Sequence, residues 1–335
     1  MRRKKNEFSS NPRRQAGGFF LTQKSGKDLL GLKETPKERI LELLEQSVVY
    51  KKRMSSPQKK QEELRGKTVM NLFFEASTRT RVSFELAAKN LSAEILNMTP
   101  QASSLSKGEG LKDMVENLEA MNPDILIIRH GASGVPALMA QYTRAAVINA
   151  GDGSHEHPTQ ALLDLFTVKE MLGEIKGLKL LIVGDIAYSR VARSNIYGFT
   201  KLGAKITVVG PATLIPPGLE QLGVRVEHDL DSCLPQADVV MLLRIQKERQ
   251  ETLNFPSLAE YSHFYSLTRE RLPLMKPHSI IMHPGPINRG VEIDPEVADA
   301  VGKGSGPRTV ILDQVTNGIA VRMAVLKAYG QGGQA

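Results

Sequence analysis

The chain has 335 residues, of which 41% are hydrophobic, and a mean hydropathy of −0.22, so it is long enough for two globular domains. Its formal net charge of +8 comes mostly from residues 1–27, which carry eight Lys or Arg residues against the single acid Glu7. The remainder is nearly neutral and lacks Trp, so nucleic-acid binding has no support outside this basic tail.

The tail and the cysteine content set further expectations. We predict that residues 1–27 are a solvated, disordered arm; the alternative is a nucleic-acid-binding or scaffold protein that uses this arm. The one cysteine, Cys233, has no disulfide partner and no zinc-site spacing, which favours a reducing cytoplasm and predicts no metal site. No apolar run has membrane-spanning length, so neither export nor a membrane partner is expected.

From Lys67 onward, short apolar runs typical of strands alternate with helical patterns. The first series of runs is KTVMNLFF, AEILNM, DILIIRH and AAVINA; the second is KLLIVGD, KITVVG, VRVEHD, ADVVMLLR and SIIMHPG. Continuous apolar strands between helices indicate parallel sheets covered on both faces. We therefore predict an α/β protein with two doubly wound parallel-sheet domains. Helical periodicity in VTNGIAVRMAVLKAYG suggests a last helix that returns to the first domain.

The stretch FFEASTRTRVSFELAAKNL, residues 73–91, leads from the first strand into an amphipathic helix expected to begin near Ser77 or Thr78. Arg79 then lies in the first turn, where the helix dipole disfavours a cation. Backbone N–H groups, hydroxyls and a guanidinium together would form a phosphate or carboxylate cradle. The alternative is an ordinary Ser/Thr cap followed by surface arginines.

Ligands of parallel sheets bind at the carboxyl ends of the strands, so polar residues after each apolar run are candidates for one site. Four of these residues are arginines, which predicts a strongly anionic ligand. The segment VGDIAYSR lacks the G-x-G-x-x-G spacing, so we expect no nicotinamide cofactor. No cofactor of another kind is expected either. The candidate segments are 77–80, 129–130, 154–160, 188–190, 244–246 and 284–286.

The motifs collected in this way resemble the catalytic chains of aspartate carbamoyltransferases, within the carbamoyltransferase family. The resemblance covers residues 28–329, and the segments that carry it are FFEASTRTRVSFELAAKNL, SSLSKGEGLKD, IIRH, HPTQALLDLFT, GDIAYSRVARSN, RIQKER and HPGPINRG. It implies a carbamoyl-phosphate-binding domain, residues 28–158 with 316–335, and an aspartate-binding domain, residues 159–315. The active site would lie between these domains and at a subunit interface.

By this resemblance, the chain transfers a carbamoyl group from carbamoyl phosphate to the amine of L-aspartate, in pyrimidine biosynthesis. Direct attack needs no covalent enzyme intermediate, so positioning and electrostatic stabilisation suffice. The resemblance assigns carbamoyl phosphate to Ser77, Thr78, Arg79, Thr80, Arg129, His157, Gln160, Gly285 and Pro286, and aspartate to Lys107, Arg190, Arg244 and Gln246. Arg79, Thr80, Lys107, Arg129 and His157 are the implied catalytic residues, with His157 as a hydrogen-bond donor.

The resemblance also implies an oligomer. The Ser/Gly-rich loop with Lys107 would reach into the active site of a neighbouring subunit in a homotrimer or a multiple of trimers, and either Ser103 or Ser104 would accompany it. The tail is a candidate docking segment for a partner such as a dihydroorotase, and a regulatory chain is a further candidate partner of the protein. Gly285 departs from relatives with leucine at that position, which changes the side-chain wall of the site.

The acceptor follows from charge. The two carboxylates of aspartate match the guanidiniums of Arg190 and Arg244, with Gln246 nearby. Ornithine carries a cation and would require an acidic residue and the D-x-x-x-S-M-G and H-C-L-P segments of ornithine carbamoyltransferases. This chain has RIQKER and HPGP instead, so aspartate is the predicted acceptor. Ornithine or a related amine is the alternative.

Overall fold

The computed structural model describes residues 26–98, 110–246, 255–300 and 306–331. In the first half of the chain, β1 (Thr68–Phe73), β2 (Glu94–Met98), β3 (Ile125–His130) and β4 (Ala146–Asp152) form a parallel sheet in the spatial order β2-β1-β3-β4. The central strand sets the register, since Val69 lies opposite Ile95 on one side and Ile125 on the other. The helices of this half are α1 (Lys37–Met54), α2 (Thr78–Asn90), α3 (Leu111–Glu119), α4 (Val135–Met139) and α5 (Pro158–Leu172).

A second parallel sheet follows, with the spatial order β10-β9-β8-β5-β6-β7. Its strands are β5 (Lys179–Val183), β6 (Lys205–Val209), β7 (Arg225–Glu227), β8 (Val239–Leu242), β9 (Ile280–Met282) and β10 (Arg308–Thr309). The helices are α6 (Arg190–Lys201), α7 (Leu230–Cys233), α8 (Leu258–Tyr265), α9 (Pro295–Ala298) and the final α10 (Ile311–Gly330). The predicted fold class, two doubly wound parallel α/β sheets, is confirmed.

Both sheets are buried on their two faces, which explains the continuous apolar strands of the sequence. Alternate residues of a strand point to opposite faces. In β3, Ile125 and Ile127 join one apolar cluster with Phe84 of α2, whereas Leu126 and Ile128 join another with Met114 of α3. Each face is thus covered by helices, as parallel sheets require.

The last helix returns to the first half of the chain. Helix α10 packs against α1, α2 and α5, and most of its residues from Ala320 to Leu326 are buried. This packing explains why α10 is apolar around most of its circumference.

The division into two domains at residues 158, 159, 315 and 316 stays a prediction. In the described part of the chain, no helix combines the length and apolar character needed to span a membrane.

Helix α1 and strand β10 are among the elements that were not predicted. Helix α1 is rich in charged residues, yet Ile40, Leu43, Leu44 and Ser47 are buried at helical spacing, so its amphipathic pattern was a usable signal. Strand β10 has only two residues, and so short a run carries no periodicity. It is recognisable only through its parallel pairing with β9, where Thr309 lies opposite Ile281.

Candidate active site

A cleft of about 790 Å³ lies at the carboxyl ends of strands from both sheets. Its walls are the end of β3 and the segments that follow β1 and β4 in the first sheet and β5, β8 and β9 in the second. The candidate residues that line it are Ser77, Thr78, Arg79, Thr80, Arg129, His157, Gln160, Arg190, Arg244, Gln246, Gly285 and Pro286. The tertiary structure therefore brings together side chains that are more than 200 positions apart in the sequence.

Some candidates among the described residues do not line the cleft. His130 accepts a hydrogen bond from the backbone N–H of Ala132 at 2.8 Å, and His155 pairs with Asp152 at 3.0 Å, so both belong to the turns after their strands. Lys107, Ser103 and Ser104, and most of the basic tail, lie outside the described residues.

The start of α2 forms the first wall. Ser77 is the N-cap residue in an extended conformation, and its hydroxyl makes no capping hydrogen bond, unlike that of Ser189 at the start of α6. Thr80 is buried, and the first turn contains no acidic residue. The ordinary-cap alternative therefore lacks the hydrogen bond that defines a cap, and the N–H groups and hydroxyls of this turn are suited to an anion.

Arg79 extends from this wall to the opposite one. Its Nη2 donates a hydrogen bond to the carbonyl oxygen of Pro284 at 3.3 Å. Burial and the nearby Arg244 lower the pKa of Arg79. Gly285 adopts φ +62°, and a Cβ on this residue would lie 2.1 Å from Nη1 of Arg79. A side chain at Gly285 would consequently displace the guanidinium, which gives a physical reason for glycine at this departure from the family pattern.

Glu75 holds two further arginines. Its Oε1 accepts hydrogen bonds from Nη2 of Arg129 at 2.7 Å and from Nη2 of Arg190 at 2.5 Å, while its Oε2 accepts from Nη1 of Arg190 at 3.2 Å. The backbone of Gly151 approaches both cations, because a Cβ there would lie 2.9 Å from Nε of Arg190 and 3.1 Å from Nη1 of Arg129. Glu75 joins an arginine at the end of β3 to one at the start of α6, so it holds both in the lining of the cleft.

Two buried carboxylates hold the loop after β8. Glu292 accepts a hydrogen bond from the backbone N–H of Ile245 at 2.9 Å, and Asp185 accepts one from the N–H of Gln246 at 3.2 Å. Both acids are almost completely buried, and burial raises the pKa of Glu292. The loop that presents Arg244 is thereby anchored at Ile245 and Gln246, the two residues after this arginine.

His283 is an almost fully buried residue of the second wall and is in its neutral form. Burial, followed by the charges of Arg79 and Arg244, lowers its pKa to about 3. Its Nδ1 accepts the N–H of Gly285 at 2.8 Å, so the ring proton is on Nε2. A neutral imidazole avoids adding a further charge beside two arginines.

His157 and Gln160 come from the start of α5, where His157 is the N-cap residue and is almost fully buried. The backbone N–H of His157 donates to Oγ of Ser194 at 2.8 Å, and that hydroxyl donates to Glu156 at 2.7 Å. The Gln160 amide donates to Asp164 at 2.9 Å. Hydrogen bonds to buried side chains thus hold the start of α5 in place at the cleft.

The sequence analysis missed several residues of the site. A carboxylate next to the arginine-rich motif and an acid four residues after Gln160 in an apolar helix were signals that could have indicated Glu75 and Asp164. Asp185, His283 and Glu292 gave no comparable signal, because their roles arise from contacts between distant loops. Among the described residues, no cluster of three or more His, Cys, Asp or Glu side chains is arranged to hold a metal ion.

Two family models match the chain. Residues 27–170 match the carbamoyl-P binding domain of aspartate/ornithine carbamoyltransferase, and residues 176–329 match the Asp/Orn binding domain. The aspartate carbamoyltransferase catalytic subunit of Syntrophobacter fumaroxidans is 56% identical over 305 residues, which is 91% of this chain and 98% of the relative.

Solved structures give a consistent result. Aspartate transcarbamoylase from Trypanosoma cruzi, in complex with carbamoyl phosphate and aspartate, has a TM-score of 0.82 and 28% identity, covering 90% of this chain and 96% of that structure. Ornithine carbamoyltransferase from Pyrococcus furiosus has a TM-score of 0.79 and 30% identity, covering 92% and 98%. By its two domain matches and its close relatives, the chain belongs to the aspartate/ornithine carbamoyltransferase family.

Proposed function

We propose that the chain transfers the carbamoyl group of carbamoyl phosphate to the amine of L-aspartate, giving N-carbamoyl-L-aspartate and phosphate in pyrimidine biosynthesis. The observation that carries this proposal is the charge of the cleft. Among the described residues, six arginines line it against one acidic residue, Glu75. Such an excess of cations suits two substrates that are both anionic. The arginines are Arg79, Arg129, Arg190, Arg244, Arg289 and Arg322.

The phosphate group would bind at the start of α2. The N–H groups and hydroxyls of Ser77, Thr78 and Thr80 supply donors there, and Arg79 supplies a cation. Negative charge on the phosphate increases as the C–O bond to the carbamoyl group breaks. Arg79 therefore stabilises the transition state more than the ground state, which is the condition for acceleration.

The carbamoyl group would lie between the two walls. Thr80, Arg129 and His157 provide donors for its carbonyl oxygen, which becomes an oxyanion when the amine attacks. Gln160 would hold the carbamoyl NH₂, and Gly285 and Pro286 would form the facing wall. The amine attacks the carbonyl carbon, the tetrahedral intermediate collapses, and phosphate leaves without a covalent enzyme intermediate.

Aspartate would bind on the side of the second sheet, with its carboxylates on Arg190, Arg244 and Gln246. The Glu75 hydrogen bonds keep Arg190 close to Arg129, so the acceptor carboxylate and the carbamoyl oxygen would be bound by neighbouring cations. Burial of Arg190 strengthens such a pairing, because little water competes with it.

The same family members suggest the assembly. We extend the proposal to a homotrimer, or a multiple of trimers, in which Lys107 completes the site of a neighbouring subunit together with Ser103 or Ser104. The relatives are named catalytic subunits, which supports an assembly of more than one chain. A dihydroorotase or regulatory-chain partner and a cytoplasmic location remain predictions from the sequence.

The division into a carbamoyl-phosphate domain and an aspartate domain is part of the same proposal. The first family model ends at residue 170 and the second begins at residue 176, which supports a division near this part of the chain. Ornithine is the less favoured acceptor. The cleft wall of the second sheet presents Arg190 and Arg244 to the acceptor, and these would repel the cationic side chain of ornithine.

The direct test supplies carbamoyl phosphate with either aspartate or ornithine to the purified full-length chain. Formation of N-carbamoyl-L-aspartate with equimolar phosphate is expected, together with negligible citrulline. Citrulline as the main product, or phosphate release independent of either amine, would contradict the proposal.

A further inference from the structure

Asp164 is a fully buried carboxylate behind the cleft, one turn of α5 after Gln160. Three side-chain amides donate hydrogen bonds to it. Gln160 and Gln314 reach Oδ1 through their Nε2 atoms at 2.9 and 2.8 Å, and Asn195 reaches Oδ2 through Nδ2 at 2.8 Å. The donors come from α5, α10 and α6, so this one carboxylate joins three helices around the site.

The three amides differ in how firmly they are held. Gln314 also accepts the backbone N–H of His283 through Oε1 at 3.0 Å, and Asn195 also donates to the carbonyl of Val191 at 3.0 Å. Within the described part of the chain, the Gln160 side chain hydrogen-bonds to Asp164 alone. Because an ionised carboxylate only accepts hydrogen bonds, it fixes which end of the Gln160 amide faces it.

The charge of Asp164 is retained in an unfavourable place. Burial raises its pKa to about 6, against the three amide hydrogen bonds that lower it. The buried guanidinium of Arg322 is its nearby opposite charge, but Arg322 donates its own hydrogen bonds to Ser83 and Gly318. A carboxylate that is expensive to bury, and that is satisfied mainly by neutral amides, points to a role other than stability.

We propose that Asp164 is a positioning residue that holds the Gln160 amide with its nitrogen away from the cleft and its oxygen towards it. The oxygen then accepts a hydrogen bond from the NH₂ of the carbamoyl group. This inference rests on the proposed function and specifies how the site selects a carbamoyl phosphate over an acyl phosphate. Acetyl phosphate is the informative comparison, since a methyl group replaces the NH₂ and cannot donate.

The test measures binding of carbamoyl phosphate and acetyl phosphate to the full-length protein by calorimetry, without aspartate. Asp164→Asn has nearly the same size but offers one acceptor oxygen instead of two. Gln314 and Asn195 each keep a second hydrogen bond, so Gln160 is the amide that loses its orientation. The preference is the ratio of the dissociation constant of acetyl phosphate to that of carbamoyl phosphate. It should fall about tenfold, which corresponds to one lost hydrogen bond, and acetyl phosphate binding should change little.

Asp164→Ala removes both oxygens and should reduce the preference at least as much. The matched control is Asn195→Ala, which removes an amide from Oδ2 and leaves the Gln160 anchor intact, so the preference should remain within about twofold. Thermal unfolding of each variant tests whether the fold is retained. Asp164→Asn removes a buried charge and is the variant expected to stay folded.

Two results would overturn the role of Asp164: a preference that survives in both Asp164 variants, or an equal loss of affinity for the two phosphates. The second would show a general structural contribution. The native protein separates these results from a failure of the proposed function. Absence of carbamoyl phosphate binding to the native chain contradicts that function, whereas a native preference that the variants retain contradicts only the positioning role.

Discussion

The two walls of the cleft are built in different ways. The first wall is one contiguous motif at the start of α2, where Ser77 and Thr80 belong to a single helical turn. The second is assembled from loops after β8 and β9, and the loop after β8 is held in place by the carboxylates of Asp185 and Glu292. The first wall therefore depends on local backbone geometry, and the second on tertiary contacts.

This difference matches the division of labour in the proposed reaction. Phosphate recognition by a helix start uses backbone N–H groups that any helix provides, so the same motif can serve enzymes with different acceptors. Recognition of the acceptor uses side chains on loops, which can change while the sheet stays the same. The structural similarity to both an aspartate and an ornithine enzyme illustrates this point, because the fold alone does not specify the amine.

Arg79→Ala should have the largest effect, because it removes a guanidinium from the first turn of α2, where this cation would face the leaving phosphate. We expect turnover to fall by about a hundredfold or more with the fold retained. Steady-state kinetics and circular dichroism provide the measurements. Lys89→Ala, at the exposed end of the same helix, is the control and should be close to native. A loss below about threefold for Arg79→Ala would refute its role.

Arg244→Ala should distinguish the two walls. The variant lacks a guanidinium on the aspartate side, so KM for aspartate should rise by roughly tenfold to a hundredfold, as for one lost charge-assisted hydrogen bond. KM for carbamoyl phosphate should change much less. Initial rates with each substrate varied in turn give both constants. Equal changes for both substrates would mean that Arg244 does not belong to the acceptor side.

The buried titratable groups behind the walls should respond to pH in opposite directions. Asp164 has a raised pKa of about 6, so folding favours its protonated form over its ionised form. The unfavourable contribution of the ionised form to stability therefore develops as pH rises from about 4 through 6. His283 has a lowered pKa of about 3, so folding favours its neutral form, and stability is lost as pH falls below about 6.5.

Urea unfolding at pH 7 and pH 5 tests these signs. On acidification, the free energy of unfolding of the native protein should rise by about 1 kcal/mol relative to that of Asp164→Asn. It should fall by about 2 kcal/mol relative to that of His283→Asn. The difference between variants cancels the titration of all other groups to a first approximation. Shifts of the same sign for the two variants would show that one of the two pKa directions is wrong.

Removal of residues 2–25 should have the smallest effect. None of the residues predicted for the site lies in this segment, so kcat and both KM values should stay within about twofold of native, as for changes far from the chemistry. The same truncation tests the alternative nucleic-acid function, because a salt-sensitive affinity for DNA would disappear with the tail. A folded but inactive truncated chain would contradict the proposed role of the remaining residues.

The sequence by itself determined the parts of this protein that depend on local patterns. Continuous apolar runs predicted nine strands, and the misplaced cation at Arg79 indicated an anion site at a helix start. Both follow from backbone geometry and the helix dipole, which operate over a few residues. The resemblance of short motifs to one family then supplied the expected reaction.

Only the tertiary structure decided which distant groups meet. Glu75 bridges Arg129 and Arg190 because the carboxyl ends of the two sheets face each other, and Asp164 receives amides from positions 160, 195 and 314 because α5, α6 and α10 pack together. Hydrogen bonds and burial act over a few ångströms in space, whatever the separation along the chain. The charge state and partners of these buried acids were consequently invisible to a sequence pattern.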